Sequence, residues 1–163
     1  EEAQGHGYDA DAPFAPGTNM GAAFMTPTRI YVKPLLQAFV LDSDSGRPAV
    51  KGLAHITGGG LLDNIPRVLP DGLGAVLDTE KWTLPPVFTW LAQAGGLSAH
   101  DLAQTFNCGI GMAVICAPQD AASLTDVLKN AGESVFEMGR IVKNTTGPRV
   151  ILDKVGSAWP VKN

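Results

Sequence analysis

The chain has only two cysteines and three widely spaced histidines in 163 residues. That scarcity excludes a disulfide framework and the close His/Cys spacing of a zinc site. Cys108 and Cys116 fall in or beside one expected strand, and an extended strand holds residues so spaced too far apart to be bridged. Free thiols in an apolar run fit a reducing compartment, so a cytoplasmic location is expected. Cys116 reads as a buried structural residue; Cys108, inside a glycine turn, is left open. Basic charge is also scarce. The twelve Lys and Arg are scattered and the net charge is −4, which argues against a nucleic-acid surface. No apolar run approaches the length of a membrane span. The first residues, Glu1-Glu2-Ala3-Gln4, lack an initiator Met and the pattern of a secretory leader, and the start reads as cut rather than natural. Ser98-x-His100 lacks the strand–turn–helix context of a nucleophile elbow. No carboxylate pair stands out by spacing.

What the chain does have is glycine and proline, nineteen and twelve, so short elements joined by many turns are expected. The length suits a single domain with one sizeable core. The most informative segment is His55-Ile56-Thr57-Gly58-Gly59-Gly60-Leu61-Leu62-Asp63-Asn64. A β-prone run ends in three glycines, which lack a Cβ and let a ligand approach the backbone. A helix starting after them would add free N–H groups and the positive end of its dipole, an anion site. A second glycine turn, Asn107-Cys108-Gly109-Ile110-Gly111, precedes another apolar strand. Neither is a standard nucleotide fingerprint: Leu61-Leu62 stand where a Walker loop needs Lys-Ser/Thr, and only Gly109-x-Gly111 survives of a dinucleotide motif. Phosphate binding and a plain tight turn both remain open on these residues alone.

The remaining elements follow from pattern. Residues 1–19 read as an irregular arm, and 20–163 as the domain proper. Arg29–Val32 is β-prone, with a helix expected from Pro34 through Val40. Asp42–Pro48 is a surface loop. Strands are expected at Val50–Thr57, Gly74–Asp78 and Gly111–Ala117. Helices are expected at Leu61–Val68, cut short by Pro66, from Pro85-Pro86 to Gly95-Gly96, after Ser98 with Asp101, and on the face Leu124, Val127, Leu128, Ala131 up to Gly132. Val135–Lys143 and Arg149–Leu152 flank Asn144–Pro148, a hairpin signal. The mixed order gives an α+β (mixed α/β) class, one mixed β-sheet flanked by helices.

His55, two residues before the glycines, is placed to donate to a phosphate or shuttle a proton; a local hydrogen bond is the alternative. Thr57 adds a hydroxyl, and Asn64 faces a ligand or caps a neighbour. Arg29 and Tyr31 share a face if their segment is a strand. The Arg29 fork suits a phosphate or carboxylate and equally a surface ion pair. Asp63 and Arg67 are spaced as a solvated helix pair.

Three long stretches together resemble the phosphoribosylformylglycinamidine cyclo-ligase (AIR synthetase) family. They are Thr26-Pro27-Thr28-Arg29-Ile30-Tyr31-Val32-Lys33, the run from Lys51 through the triglycine to Pro70, and Phe106-Asn107-Cys108-Gly109-Ile110-Gly111-Met112. They run in order over nearly the whole chain. Trp82–Pro86 and Gly139–Val142 favour this family over its relatives, the formylglycinamidine synthetase, selenophosphate synthetase, a thiamine-phosphate kinase and a hydrogenase-maturation protein. The resemblance implies a longer two-domain ligase of purine biosynthesis that uses ATP and Mg²⁺. It closes the imidazole ring of formylglycinamidine ribonucleotide after phosphorylation of the formamide oxygen. Gly58, Gly59 and Gly60, with His55 and Thr57, would then line a cleft. Arg29, Asn64 and Asn107 would support substrate binding, and Gly109 and Gly111 would shape the neighbouring wall. The resemblance also implies that the ATP- and Mg²⁺-binding N-terminal half is absent, with no metal ligand in this part. On that reading the chain is a C-terminal domain fragment, inactive alone, whose parent is a homodimer. Its partners would be its own N-terminal half and a phosphoribosyl substrate, with no nucleic acid and no membrane.

Overall fold

The computed structural model describes residues 7–161. Its elements are α1 (Met20–Phe24), α2 (Val32–Phe39), β1 (Val50–His55), α3 (Gly60–Asn64), β2 (Leu73–Asp78), α4 (Pro86–Gly95), α5 (Ala99–Thr105), β3 (Met112–Cys116), α6 (Ala121–Asn130), β4 (Gly139–Lys143), β5 (Val150–Asp153) and α7 (Val155–Ala158). Short 3-10 turns at Ile65–Val68, Thr79–Lys81 and Pro118–Asp120 complete the order. The class is mixed α+β. Its strands fall into two sheets instead of one: an antiparallel pair β1-β3 and a mixed three-stranded sheet ordered β4-β2-β5. Among the described residues no helix is long and apolar enough to cross a membrane.

Local chemistry accounts for several boundaries. Ser98 and Asp101 form a reciprocal capping box at the start of α5, satisfying N–H groups that the first turn leaves free. Pro86 is the first residue of α4, and Gly96, at φ +64°, ends it, as left-handed C-caps do. α6 buries Leu124 and Leu128 against Ala38 of α2 and Ala49. The described part of the arm has turns and one isolated bridge, Asp11 to Asn19. It is held on α4 by Phe14, whose ring centroid lies 5.2 Å from that of Trp90.

Three expectations are corrected. Arg29–Val32 is not a strand: no neighbour pairs with it, and α2 already begins at Val32, ahead of Pro34. A proline in the first turn costs no internal hydrogen bond, because those N–H groups have no helical acceptor. The helix expected over Leu61–Val68 ends at Asn64 and continues only as the 3-10 turn containing Pro66. The expected hairpin is absent. β4 and β5 do not pair with each other; β2 lies between them, antiparallel to β4 and parallel to β5. Asn144 does close a local turn, donating to the Pro148 carbonyl at 2.6 Å. The chain is then captured by β2. The Arg149 guanidinium donates to the carbonyls of Leu69, Pro70 and Leu73 at 2.8–3.0 Å, and Ala75 N–H bonds the Arg149 carbonyl at 2.7 Å.

The main core joins both sheets through Leu61, Leu102, Cys108 and Trp159, all fully buried. Trp82 and Trp159 meet edge-on at 5.8 Å. By contrast, Val32, Leu36, Phe39 and Val40 along one side of α2 are exposed.

At the sheet's other end Lys154 bridges Asp78 at 2.8 Å and Glu80 at 3.1 Å. Hydrogen bonding to Lys154 holds both carboxyls below their ordinary values of 3.8 and 4.5. Groups with depressed folded pKa add stability that is present above those ordinary values and is lost as pH falls through the lower folded ones. Lys154→Met is therefore expected to flatten the acid limb of a urea-unfolding profile below about pH 4.5. An acid limb as steep as in the parent chain would refute the role given to this bridge.

Candidate functional site

β1 and β3 are antiparallel, with His55 opposite Met112. The end of one strand therefore lies beside the start of the other, and Ile56 N–H bonds the Gly111 carbonyl at 2.9 Å. This topology brings the two glycine turns, some fifty residues apart in sequence, to one end of the same sheet.

In the first turn Gly60 carries the constraint. Its φ is +55°, its N–H bonds the Thr57 carbonyl at 3.0 Å, and its Cα is pressed against the backbone at the end of α5. A Cβ there would overlap the Ala103 carbonyl oxygen and lie 2.7 Å from that of Phe106. Only glycine lets the two chains approach so closely.

Asn64 shapes the rest of the turn. Its buried amide nitrogen donates to the carbonyls of Gly60 at 2.7 Å, Gly58 at 3.2 Å and Thr57 at 3.3 Å. Its oxygen accepts from Arg67 at 3.1 Å. In a trans peptide the N–H points opposite to the carbonyl of the same unit, and no peptide here is cis. Carbonyls of Thr57 and Gly58 drawn inward therefore turn the N–H groups of Gly58 and Gly59 outward. Neither N–H has a backbone acceptor among the described residues. Gly58 is exposed with no atom within 4 Å of a Cβ position, and His55 and Thr57 beside it are exposed too. The result is two outward amides in a turn that directly follows the exposed His55 and Thr57.

The helix-end argument fares less well. α3 has only five residues, and the Asp63 carboxylate already lies over Gly59, 2.8 Å from where a Cβ would stand. A single turn with its own carboxylate at the start adds little field for an outside anion.

In the second turn Asn107 accepts the Gly109 N–H at 3.0 Å through its side-chain oxygen. Its backbone carbonyl accepts from Ile110 at 2.9 Å. Gly109, at φ +89°, is exposed and packs on the Pro85 ring. Cys108, also at positive φ, is buried, and its carbonyl takes the Trp82 indole N–H at 3.0 Å. Burial pushes its thiol up to about 12, which leaves it protonated and unsuited to nucleophilic work.

Arg29 is engaged elsewhere. Its Nε bonds Glu133 at 2.7 Å and its Nη2 the Gly132 carbonyl at 2.8 Å, the ion-pair alternative. This clip ties the strap of residues 26–31 to the turn that follows α6. Tyr31, at the end of the strap, is the residue that sequence reasoning undervalued. Its ring meets the His55 ring edge-on, with centroids 6.1 Å apart, and a Cβ on Gly111 would overlap its hydroxyl. Burial raises the Tyr31 phenol above its ordinary value; Glu133 adds to this and Arg29 opposes it. The usable signal was the missing side chain at Gly111.

The structure thus brings His55, Thr57, Gly58, Gly59, Gly60, Asn64 and Gly111 together, with Tyr31 added. Asn107 and Gly109 share the neighbouring turn, and Arg29 anchors the strap without reaching the glycines. Two depressions lie away from these glycine turns: a polar one at Asp71, Asn144 and Thr146, and an apolar groove between Leu62, His100 and Ile151. Among the described residues no group of three or more His, Cys, Asp or Glu is placed to hold a metal ion. Bound Mg²⁺ needs a set of oxygen donors, and the described residues assemble no such group.

A family model, AIR synthase related protein, C-terminal domain, matches residues 2–151. That span takes in both glycine turns, the strap and every strand except the last two residues of β5, and the chain therefore belongs to the AIR synthase related proteins as their C-terminal domain.

Proposed function

We propose that this domain forms the substrate-side wall of an ATP-dependent cyclo-ligase that converts formylglycinamidine ribonucleotide to aminoimidazole ribonucleotide in purine biosynthesis. The observation that carries the reading is the pair of outward amides, Gly58 and Gly59, fixed by Asn64 in a turn that follows exposed His55 and Thr57. Two outward N–H groups and a neighbouring hydroxyl can donate to the oxygens of a phosphate monoester.

Each residue has a distinct part. The Gly58 and Gly59 amides and the Thr57 hydroxyl hold the substrate phosphate. His55 moves a proton to or from the nitrogen that closes the ring. Gly60, Asn64 and Asn107 keep the two turns in shape, Gly109 and Gly111 form the wall, and Arg29 holds the strap. ATP and Mg²⁺ would be held by the N-terminal half of the parent, and the phosphoryl group supplied there would make the formamide oxygen a leaving group. The work of this domain is positioning and charge neutralisation, so it is inactive alone.

The same two amides suit other phosphorylated small molecules. A related synthetase or kinase, or a phosphate-binding module without catalysis, is therefore the competing reading. Mixing this chain with a separately produced N-terminal half, formylglycinamidine ribonucleotide, ATP and Mg²⁺ tests the proposal. Product only in the mixture is the expected result. No product, with both halves folded and associated, moves the assignment to a related enzyme.

A further inference from the structure

We propose that Tyr31 is the positioning residue for His55. The inference rests on the functional reading above and assigns a role to a residue that reading does not use.

Three observations carry it. His55 is the last residue of β1 and is exposed, so the strand fixes its backbone while its ring lacks the close packing that selects one rotamer. Among the described residues the aromatic ring that meets it is that of Tyr31, edge-on at 6.1 Å with planes inclined by 72°. Edge-to-face contact is a favourable and orienting geometry for two rings. Second, the Tyr31 ring is itself located from two sides. Its hydroxyl end sits over Gly111, with ring carbon Cζ 2.7 Å from where a Cβ would be. Its backbone is held two residues upstream by the Arg29 clip to Glu133 and the Gly132 carbonyl. Third, Gly111 is tied to the triglycine turn through the Ile56 hydrogen bond. Tyr31, His55 and the outward amides thus share one frame. A proton-transferring side chain must be held within a fraction of an ångström of its working geometry, and Tyr31 is the group built to do that.

The test has two arms. In the isolated chain, NMR of the His55 ring protons reports its mobility and its neighbour's ring current. Tyr31→Phe is expected to preserve the parent chain's restricted, ring-shifted signal, and Tyr31→Leu to give an averaged one. Identical His55 signals in all three proteins would overturn the proposal, whatever the fate of the cyclo-ligase reading. In the reconstituted mixture Tyr31→Leu is expected to lower kcat roughly tenfold with KM for the ribonucleotide nearly unchanged, and Tyr31→Phe to restore most of the rate. A raised KM with intact kcat would make Tyr31 a binding contact and also overturn the proposal. Mixtures inactive with every variant, beside the expected NMR result, would sink the cyclo-ligase reading alone.

Discussion

Gly60→Ala is expected to destabilise the domain by about 3 kcal/mol or more, while Gly58→Ala two residues away costs less than about 1 kcal/mol. Both changes add one methyl group to the same turn. At Gly58 that methyl meets nothing within 4 Å. At Gly60 it overlaps the Ala103 carbonyl oxygen and crowds that of Phe106, and the backbone is at φ +55°. The obstacles are main-chain atoms at the end of α5, which cannot swing aside as a side chain would. Relief requires α3 and α5 to separate, and this opens the core around Leu61 and Leu102, both fully buried. Urea unfolding of the two variants measures the contrast. Equal and small losses would show that the turn is not packed as described.

Asn64→Asp is expected to be the second severe change, at about 2–4 kcal/mol near neutral pH, despite a nearly identical shape. The amide nitrogen that serves three carbonyls is replaced by an oxygen facing the Gly60 carbonyl at the distance now 2.7 Å. Two acceptors then face each other in a buried place, and Arg67, which bonds the opposite oxygen, relieves only one side. Protonation of the new carboxyl returns one donor, so the deficit relative to the parent chain should shrink as pH falls. A deficit that stays constant with pH, or is below about 0.5 kcal/mol, would contradict the role given to Asn64. The variant also separates shape from chemistry. Residual folded protein should lose the outward set of the Gly58 and Gly59 amides, because nothing then holds the carbonyls inward.

Much of the fold was legible in local chemistry. The capping box at Ser98 and Asp101, the Gly96 stop and the apolar face of α6 each act within one or two turns, so a sequence window contains the whole cause. The errors have non-local causes. The segments that became β4 and β5 carry a sound turn between them, yet each pairs with β2, some seventy residues earlier. Nothing near Asn144 records that the Arg149 fork will find the carbonyls of Leu69, Pro70 and Leu73. The Arg29–Val32 run is β-branched enough for a strand but meets no free edge. At the site, the triglycine and its two outer neighbours His55 and Thr57 stand out in sequence. The resemblance supplied the second turn as a neighbouring wall, and the β1-β3 pairing supplies the reason. The part played by Asn64 stayed hidden because a buried amide and an exposed one look alike in a sequence. Tyr31 stayed hidden because its partners, His55 and Gly111, are brought to it by the sheet.

The most direct test of the central claim is an amide NMR titration of the isolated chain with formylglycinamidine ribonucleotide. The largest shifts are expected at the Gly58 and Gly59 N–H groups, with Thr57 and His55 following and Gly58→Pro weakening them. Shifts centred instead on the groove between Leu62, His100 and Ile151, or on the depression at Asn144 and Thr146, would contradict it.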